Sequence, residues 1–293
     1  MVQEILIALA IMVGLGLLFA ALLAFAYKKL RVVEDPRIDI VENLLPHANC
    51  GACGEPGCRA FAERLVGGEA PPSKCTVSAQ EALARIATVL GVEVGQTEKR
   101  VARLLCAGGK KEAHNLTDYR GSLRTCRGEA VVTGGTKACT WGCLGLADCE
   151  VACTFGAIFM NDDGLPQVIP DKCTACGDCV EACPKQLFEI MPLSRKLIVQ
   201  CKSLLEGDLA KSKCSVACTA CGRCVADAAP GVIEIKNGLA VIDYSLNHLA
   251  TIGAVRRCPT DAIVWVDGAQ FQKSEKPVLP LGRVELLLDR NFE

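Results

Sequence analysis

The sequence predicts an α+β protein in three parts: one N-terminal transmembrane helix, a small four-cysteine domain, and two tandem units of short helices and hairpins built round cysteines. Three observations predict it. Residues Ile5 to Tyr27 form an uncharged run of 23, mostly aliphatic; as a helix such a run extends ~34 Å, enough to cross a hydrocarbon core of ~30 Å. The stretch Cys173-Thr-Ala-Cys176-Gly-Asp-Cys179-Val-Glu-Ala-Cys183-Pro184 spaces four thiols as C-x2-C-x2-C-x3-C-P. That is the run of two-cluster bacterial ferredoxins, in which three cysteines wrap one [4Fe-4S] cube and the fourth reaches another. Sliding the chain over itself by 75 residues lays Cys126 over Cys201, Cys139 over Cys214, Cys143 over Cys218, Cys149 over Cys224 and Cys183-Pro184 over Cys258-Pro259, without a gap. A fixed internal period marks a tandem repeat, so the chain carries two bacterial-type ferredoxin-like units.

Composition narrows the class. A chain of 293 residues holds two or three small domains, and a net charge of -1 leaves no electrostatic footprint for nucleic acid. Twenty cysteines would be a disulfide framework in a short secreted chain, but the spacing here is that of metal thiolates. His47, His114 and His248 lie in no ligand pattern and read as ordinary polar residues. There is no G-x-G-x-x-G after a strand, no Walker loop and no nucleophile elbow. The sequence thus predicts no bond-making site, and nicotinamide or flavin chemistry falls to partner chains.

Residues 1–30 are the expected anchor. Lys28, Lys29 and Arg31 follow the apolar run, and only Glu4 and the amino terminus precede it. The positive-inside rule therefore places the cysteine-bearing remainder on the cytoplasmic side of the inner (plasma) membrane, after a single pass. A signal peptide is the competing reading, but it wants a basic start and a shorter apolar core. Gly14 and Gly16, with Ala8, Ala10, Ala20, Ala21 and Ala24, suit close packing against other membrane helices, or are simply tolerated there.

Residues 31–95 are the four-cysteine domain. After the break at Asp35-Pro36, Cys50, Cys53, Cys58 and Cys75 follow as C-x2-C-x4-C-x16-C, with glycines between the thiols. Tight glycine loops aim backbone amides at sulfur, which tunes a cluster's potential. The set is self-contained and should hold its own cube, although four thiolates satisfy zinc equally well. From Ser78 to Leu90 the apolar positions Ala79, Ala82, Leu83, Ile86, Ala87 and Leu90, stopped by Gly91, read as an amphipathic helix.

Residues 96–200 are the first ferredoxin-like unit, opening with a strand between Thr97 and Cys106. Gly134-Gly135-Thr136-Lys137 lacks the frame of a phosphate loop and reads as a turn. By the crossing rule Cys153 completes the set of Cys173, Cys176 and Cys179, while Cys183 joins Cys139, Cys143 and Cys149. Cys139 here stands in for the corner missing at Leu146, where the second copy has Cys221. In the second unit, residues 201–268, Cys218, Cys221, Cys224 and Cys258 should hold one cube. Ala228, His248, Thr251 and Ala254 stand where the first copy has Cys153, Cys173, Cys176 and Cys179. Four ligands lost together mark a unit that gave up one centre and kept the other. Short apolar runs at Ala157–Met160, Val232–Ile235 and Ala262–Val266, bounded by Asp163-Gly164, Asn237-Gly238 and Asp267-Gly268, read as hairpin strands. In the tail, residues 269–293, Val284–Leu288 reads as a short helix or a frayed end.

Four cubes use sixteen thiols and leave Cys106, Cys126, Cys201 and Cys214, the number one more cube needs. Alternatively these are buried free thiols packing as small hydrophobes, with Cys214 competing with Cys218 or Cys221. No local C-x2-C anchors a fifth cube, so the free-thiol reading stands first.

The anchor, the Asn49-Cys50-Gly-Ala-Cys53 loop with Pro56-Gly-Cys58 and Cys75, Gly142-Cys143-Leu-Gly-Leu and the paired ferredoxin motifs together span residues 1–267. They resemble the RnfB (RsxB) family, a component of the Rnf complex, the ion-translocating ferredoxin:NAD oxidoreductase. The resemblance implies a cytoplasmic antenna tethered to a membrane pump, which takes electrons from soluble reduced ferredoxin and passes them to membrane and flavin subunits that reduce NAD. The chain departs from the family pattern at His47 and Glu55, where small or aromatic residues are usual, at Thr154, where the pattern has proline, and most of all in the lost ligand set. Two other classes compete. The iron-sulfur subunit of a hydrogenase- or reductase-type membrane enzyme shares the ferredoxin copies but gives no reason for the Cys50 to Cys75 set. A membrane-tethered zinc scaffold would purify colourless, not brown.

Overall fold

The computed structural model describes residues 2–30, 34–96, 98–132 and 134–271; the segment Val284–Leu288 lies outside them. The chain divides into two compact units. One comprises Met1–Asn49, Glu55–Lys74 and Ser78–Gly95, and the other Cys50–Gly54, Cys75–Val77 and the chain from Gln96 onward.

In the first unit α1 (Val2–Leu30) is the one helix among the described residues long and apolar enough to cross a membrane, and none of its apolar stretch Leu9–Lys29 is buried. Helix α2 (Pro36–Leu44) starts at Asp35, whose carboxylate accepts the Arg37 N–H at 2.9 Å, with proline at the first turn where no amide partner is lost. Helix α3 (Cys58–Val66) and α4 (Gln80–Leu90) pack with α2 through Val41, Phe61, Leu65, Leu83 and Ile86, all buried. Helix α4 starts at Gln80, two residues inside the expected span, and Gly91 at φ +67 closes it in the left-handed conformation that glycine adopts without strain.

The second unit is built twice. Strand β1 (Arg100–Leu104) pairs with β4 (Phe188–Pro192) around the hairpin of β2 (Ile158–Met160) and β3 (Pro166–Val168). Strand β5 (Leu197–Val199) pairs with β8 (Ile263–Trp265) around the hairpin of β6 (Ile233–Lys236) and β7 (Leu239–Ile242). In each copy the first strand closes on the last, both antiparallel. Short helices carry cysteines between strands: α5 (Cys126–Val131), α6 (Asp148–Val151) and α7 (Asp178–Ala182) in the first copy, and α9 (Arg223–Asp227), after α8 (Gly207–Lys213), in the second. Apolar side chains of the strands, such as Leu104, Ile158 and Phe188 in one copy and Val199, Ile233 and Ile263 in the other, form the core with the cysteines.

Candidate metal centres

Three hollows of nearly equal size are ringed by cysteines. One of about 310 Å³ is lined by Cys153, Cys173, Cys176 and Cys179. Another, of about 340 Å³, is lined by Cys218, Cys221, Cys224 and Cys258. Spacing groups both of these sets. Gly177 at φ +97 and Gly222 at φ +73 turn the cysteine loops into α7 and α9, which carry Cys179 and Cys224 inward. Backbone amides point at sulfur: Ala102 N–H donates to Cys173 Sγ at 3.5 Å and Ala157 N–H to Cys153 Sγ at 3.3 Å.

The third hollow, about 320 Å³, is lined by Cys106, Cys139, Cys201 and Cys214. Cys139 therefore lies with these three thiols, and the thiol beside Cys143, Cys149 and Cys183 is that of Cys126. The Cys126 sulfur accepts the Leu146 N–H, and its charge acts on Cys143, Cys149 and Cys183. Asp148 fixes it there, accepting the N–H groups of Cys126 at 2.8 Å and Arg127 at 3.0 Å, which ties the start of α5 to the helix bearing Cys149. Cys126 is carried there on an insertion. Twenty more residues separate Cys106 from Cys139 than separate Cys201 from Cys214, and α5 lies in the excess.

In the second copy no thiol ring forms at the positions of the lost set. Ala254 is buried, His248 and Thr251 are exposed, and Ala228, Leu246, Ala250 and Val255 pack on the core. Of the N-terminal set, Cys58 belongs to the first unit and Cys50, Cys53 and Cys75 to the second. Each part is shaped locally: Gly54 N–H closes a turn on the Gly51 carbonyl at 2.8 Å, and Cys58 N–H at the start of α3 donates to Asn49 Oδ1, also at 2.8 Å.

The donor chemistry fits iron-sulfur clusters. Burial, with added repulsion from neighbouring sulfurs, pushes the Cys149, Cys179 and Cys201 thiols up to about 12 and Cys214 and Cys224 to about 11. Cys143 is pushed up further for the same reasons. Four such thiolates together need bound cations. Among the described residues no three His, Cys, Asp or Glu side chains converge closely enough for a lone ion. Zinc would draw four sulfurs to ~2.3 Å of one point, whereas these ring a volume. Two buried cations complete the picture. Arg103 is 1% exposed, with Nε and Nη2 unpartnered and its charge acting on Cys173. Lys137, also buried, donates to the carbonyls of Gly108 and Gly109 beside Cys106. Sequence reasoning missed both: Lys137 ends a turn, and Arg103 sits on a strand whose other central residues are apolar.

Comparison with known proteins agrees with this chemistry. The family model described as "Putative Fe-S cluster" matches residues 45–77, and that of a 4Fe-4S binding domain matches residues 165–188. The B component of the Na(+)-translocating ferredoxin:NAD(+) oxidoreductase complex of Acetobacterium woodii is 41% identical over 90% of this chain and 78% of its own length. The chain belongs to the RnfB family. Other RnfB members include the corresponding component of an ion-translocating oxidoreductase complex of Methanosarcina acetivorans, 37% identical over 87% of this chain and 96% of its own length. Another, from the proton-translocating ferredoxin:NAD(+) oxidoreductase complex of Clostridium ljungdahlii, is 36% identical over 94% and 97%.

Proposed function

We propose that this chain is the iron-sulfur electron-transfer subunit of a membrane-bound, ion-translocating oxidoreductase complex. It accepts electrons from soluble reduced ferredoxin and relays them toward the membrane and flavin subunits that reduce NAD. The observation that carries the reading is the run of four-cysteine sets packed side by side in one compact unit. Cys153, Cys173, Cys176 and Cys179 form one set, Cys126, Cys143, Cys149 and Cys183 the next, and Cys218, Cys221, Cys224 and Cys258 another. Cys50, Cys53, Cys58 and Cys75 supply an N-terminal set by their spacing. Bound [4Fe-4S] clusters supply one-electron carriers whose potentials follow burial, nearby charge and hydrogen bonds to sulfur.

The protein's own groups set those terms. Amides such as Leu187 N–H, 3.4 Å from Cys183 Sγ, favour extra negative charge on sulfur, and the Arg103 guanidinium beside Cys173 acts in the same direction. Strand side chains keep water from the buried thiols. Lys28 and Lys29 in the last turn of α1 support a cytoplasmic location for the cysteine-bearing units by the positive-inside rule, and a soluble donor would have access there.

The test is rapid anaerobic mixing of the detergent-solubilised chain with reduced ferredoxin. The expected result is a brown protein that reoxidises several equivalents of ferredoxin as its visible absorption bleaches. A colourless zinc protein, or ferredoxin that stays reduced, contradicts the reading.

A further inference from the structure

We propose that Cys106, Cys139, Cys201 and Cys214 hold a fifth [4Fe-4S] cluster at the interface of the two ferredoxin-like copies, a site that neither copy builds alone. The proposal rests on reading the other sets as cluster sites, and it adds a centre that the ferredoxin motif does not encode.

The site is made of two equivalent halves. Cys106 follows the last residue of β1 by two positions, and Cys201 follows the last residue of β5 by two. Just before them, Leu105 N–H donates to the Leu187 carbonyl and Gln200 N–H to the Ala262 carbonyl, each at 2.7 Å. The two acceptors lie 75 residues apart. Cys106 Sγ accepts the Cys143 N–H and Cys201 Sγ accepts the Cys218 N–H, each at 3.4 Å. These donors, and the remaining pair Cys139 and Cys214, also lie 75 residues apart. Each copy thus presents two thiols on the same frame. Two thiols are half a ligand set, and the shared hollow brings the halves together.

Free thiols packing as small hydrophobes would explain burial, but not this symmetry or the charge beside it. All four are buried, and together they line one hollow, as each of the two motif sets does. The charge of the buried Lys137 acts on Cys106 and Cys214. Among the described residues no carboxylate pairs with Lys137, whose ammonium meets only two neutral carbonyls. A buried cation without an anion is costly. A cube held by four thiolates is anionic and supplies the missing charge. Position gives the site its role, because one hydrogen bond links it to Cys143 of one set and another links it to Cys218 of the other copy. It joins the copies into one continuous series.

The experiment measures iron, acid-labile sulfide and the electron paramagnetic resonance spectrum of the dithionite-reduced, full-length chain in detergent. Cys139→Ala and Cys214→Ala are each expected to lose about four irons and the same signal, and the double variant no more than either single. Cys126→Ala with Cys139→Ala should lose about eight, because those residues serve different cubes. Lys137→Met should keep full iron and lower the midpoint potential of the signal lost in Cys139→Ala. Full iron in either single variant, or a loss of only about four from the Cys126 and Cys139 pair, overturns the proposal. If the alanine variants do not fold, the wild-type count decides, with about twenty irons in support and about sixteen against. An iron-free wild type would instead overturn the functional reading as a whole, so the two failures are distinguishable.

Discussion

The two ferredoxin-like copies share a hydrogen-bonded frame and differ in what it encloses. In the first, Cys153, Cys173, Cys176 and Cys179 ring a hollow beside the hairpin of β2 and β3. In the second, the equivalent positions are Ala228, His248, Thr251 and Ala254, with Ala254 inward, His248 and Thr251 at the surface, and Leu246 and Val255 packed on the core. The strands pair in the same order and the same antiparallel sense in both, with the hairpin register one residue shorter in the second. Strand pairing and apolar packing therefore hold the frame, and the topology does not depend on cysteines at these four positions. The Cys218 to Cys258 set lines one hollow of the second copy, and Cys201 and Cys214 line another with Cys106 and Cys139.

Equivalent positions give the sharpest ways to break this comparison. Cys179→Ala should remove about four irons, one cube, whereas Ala254→Ser at the equivalent place should remove none; iron analysis of the two variants checks both. Ala254→Leu forces extra methyl groups into a filled site and should cost about 1–3 kcal/mol with no loss of iron, read as a lower denaturation midpoint of the loaded protein. Retention of the wild-type midpoint would mean that the lost site is still hollow. The smallest effect belongs to His248→Ala, which should leave iron content, paramagnetic spectrum and midpoint unchanged. Loss of about four irons there would make His248 a ligand.

Local spacing made much of this legible in the sequence. The three-cysteine loop with its Cys-Pro, the 75-residue period and the hairpin turns each depend on residues close in the chain, and the motif sets at Cys173 to Cys179 and Cys218 to Cys224 come together as spacing groups them. The pairing of Cys126 with Cys201 was misleading. Both fit a gapless register, yet Cys201 corresponds in the fold to Cys106, and Cys126 arrives on an insertion. A signal was present in Val101-Ala-Arg-Leu-Leu-Cys106 and Lys196-Leu-Ile-Val-Gln-Cys201, two strand-to-cysteine segments of like form. Arg103 and Lys137 were not legible, because nothing in a strand or a glycine turn marks a cation as buried; only the assembled core does.

The most direct test of the account is the amount of iron and acid-labile sulfide per chain in the anaerobically purified full-length protein. Five sets of four thiols predict about twenty of each, with the second copy's outer site closed and the shared site filled. About sixteen would contradict the shared site, and about twenty-four would contradict the closure of the lost one.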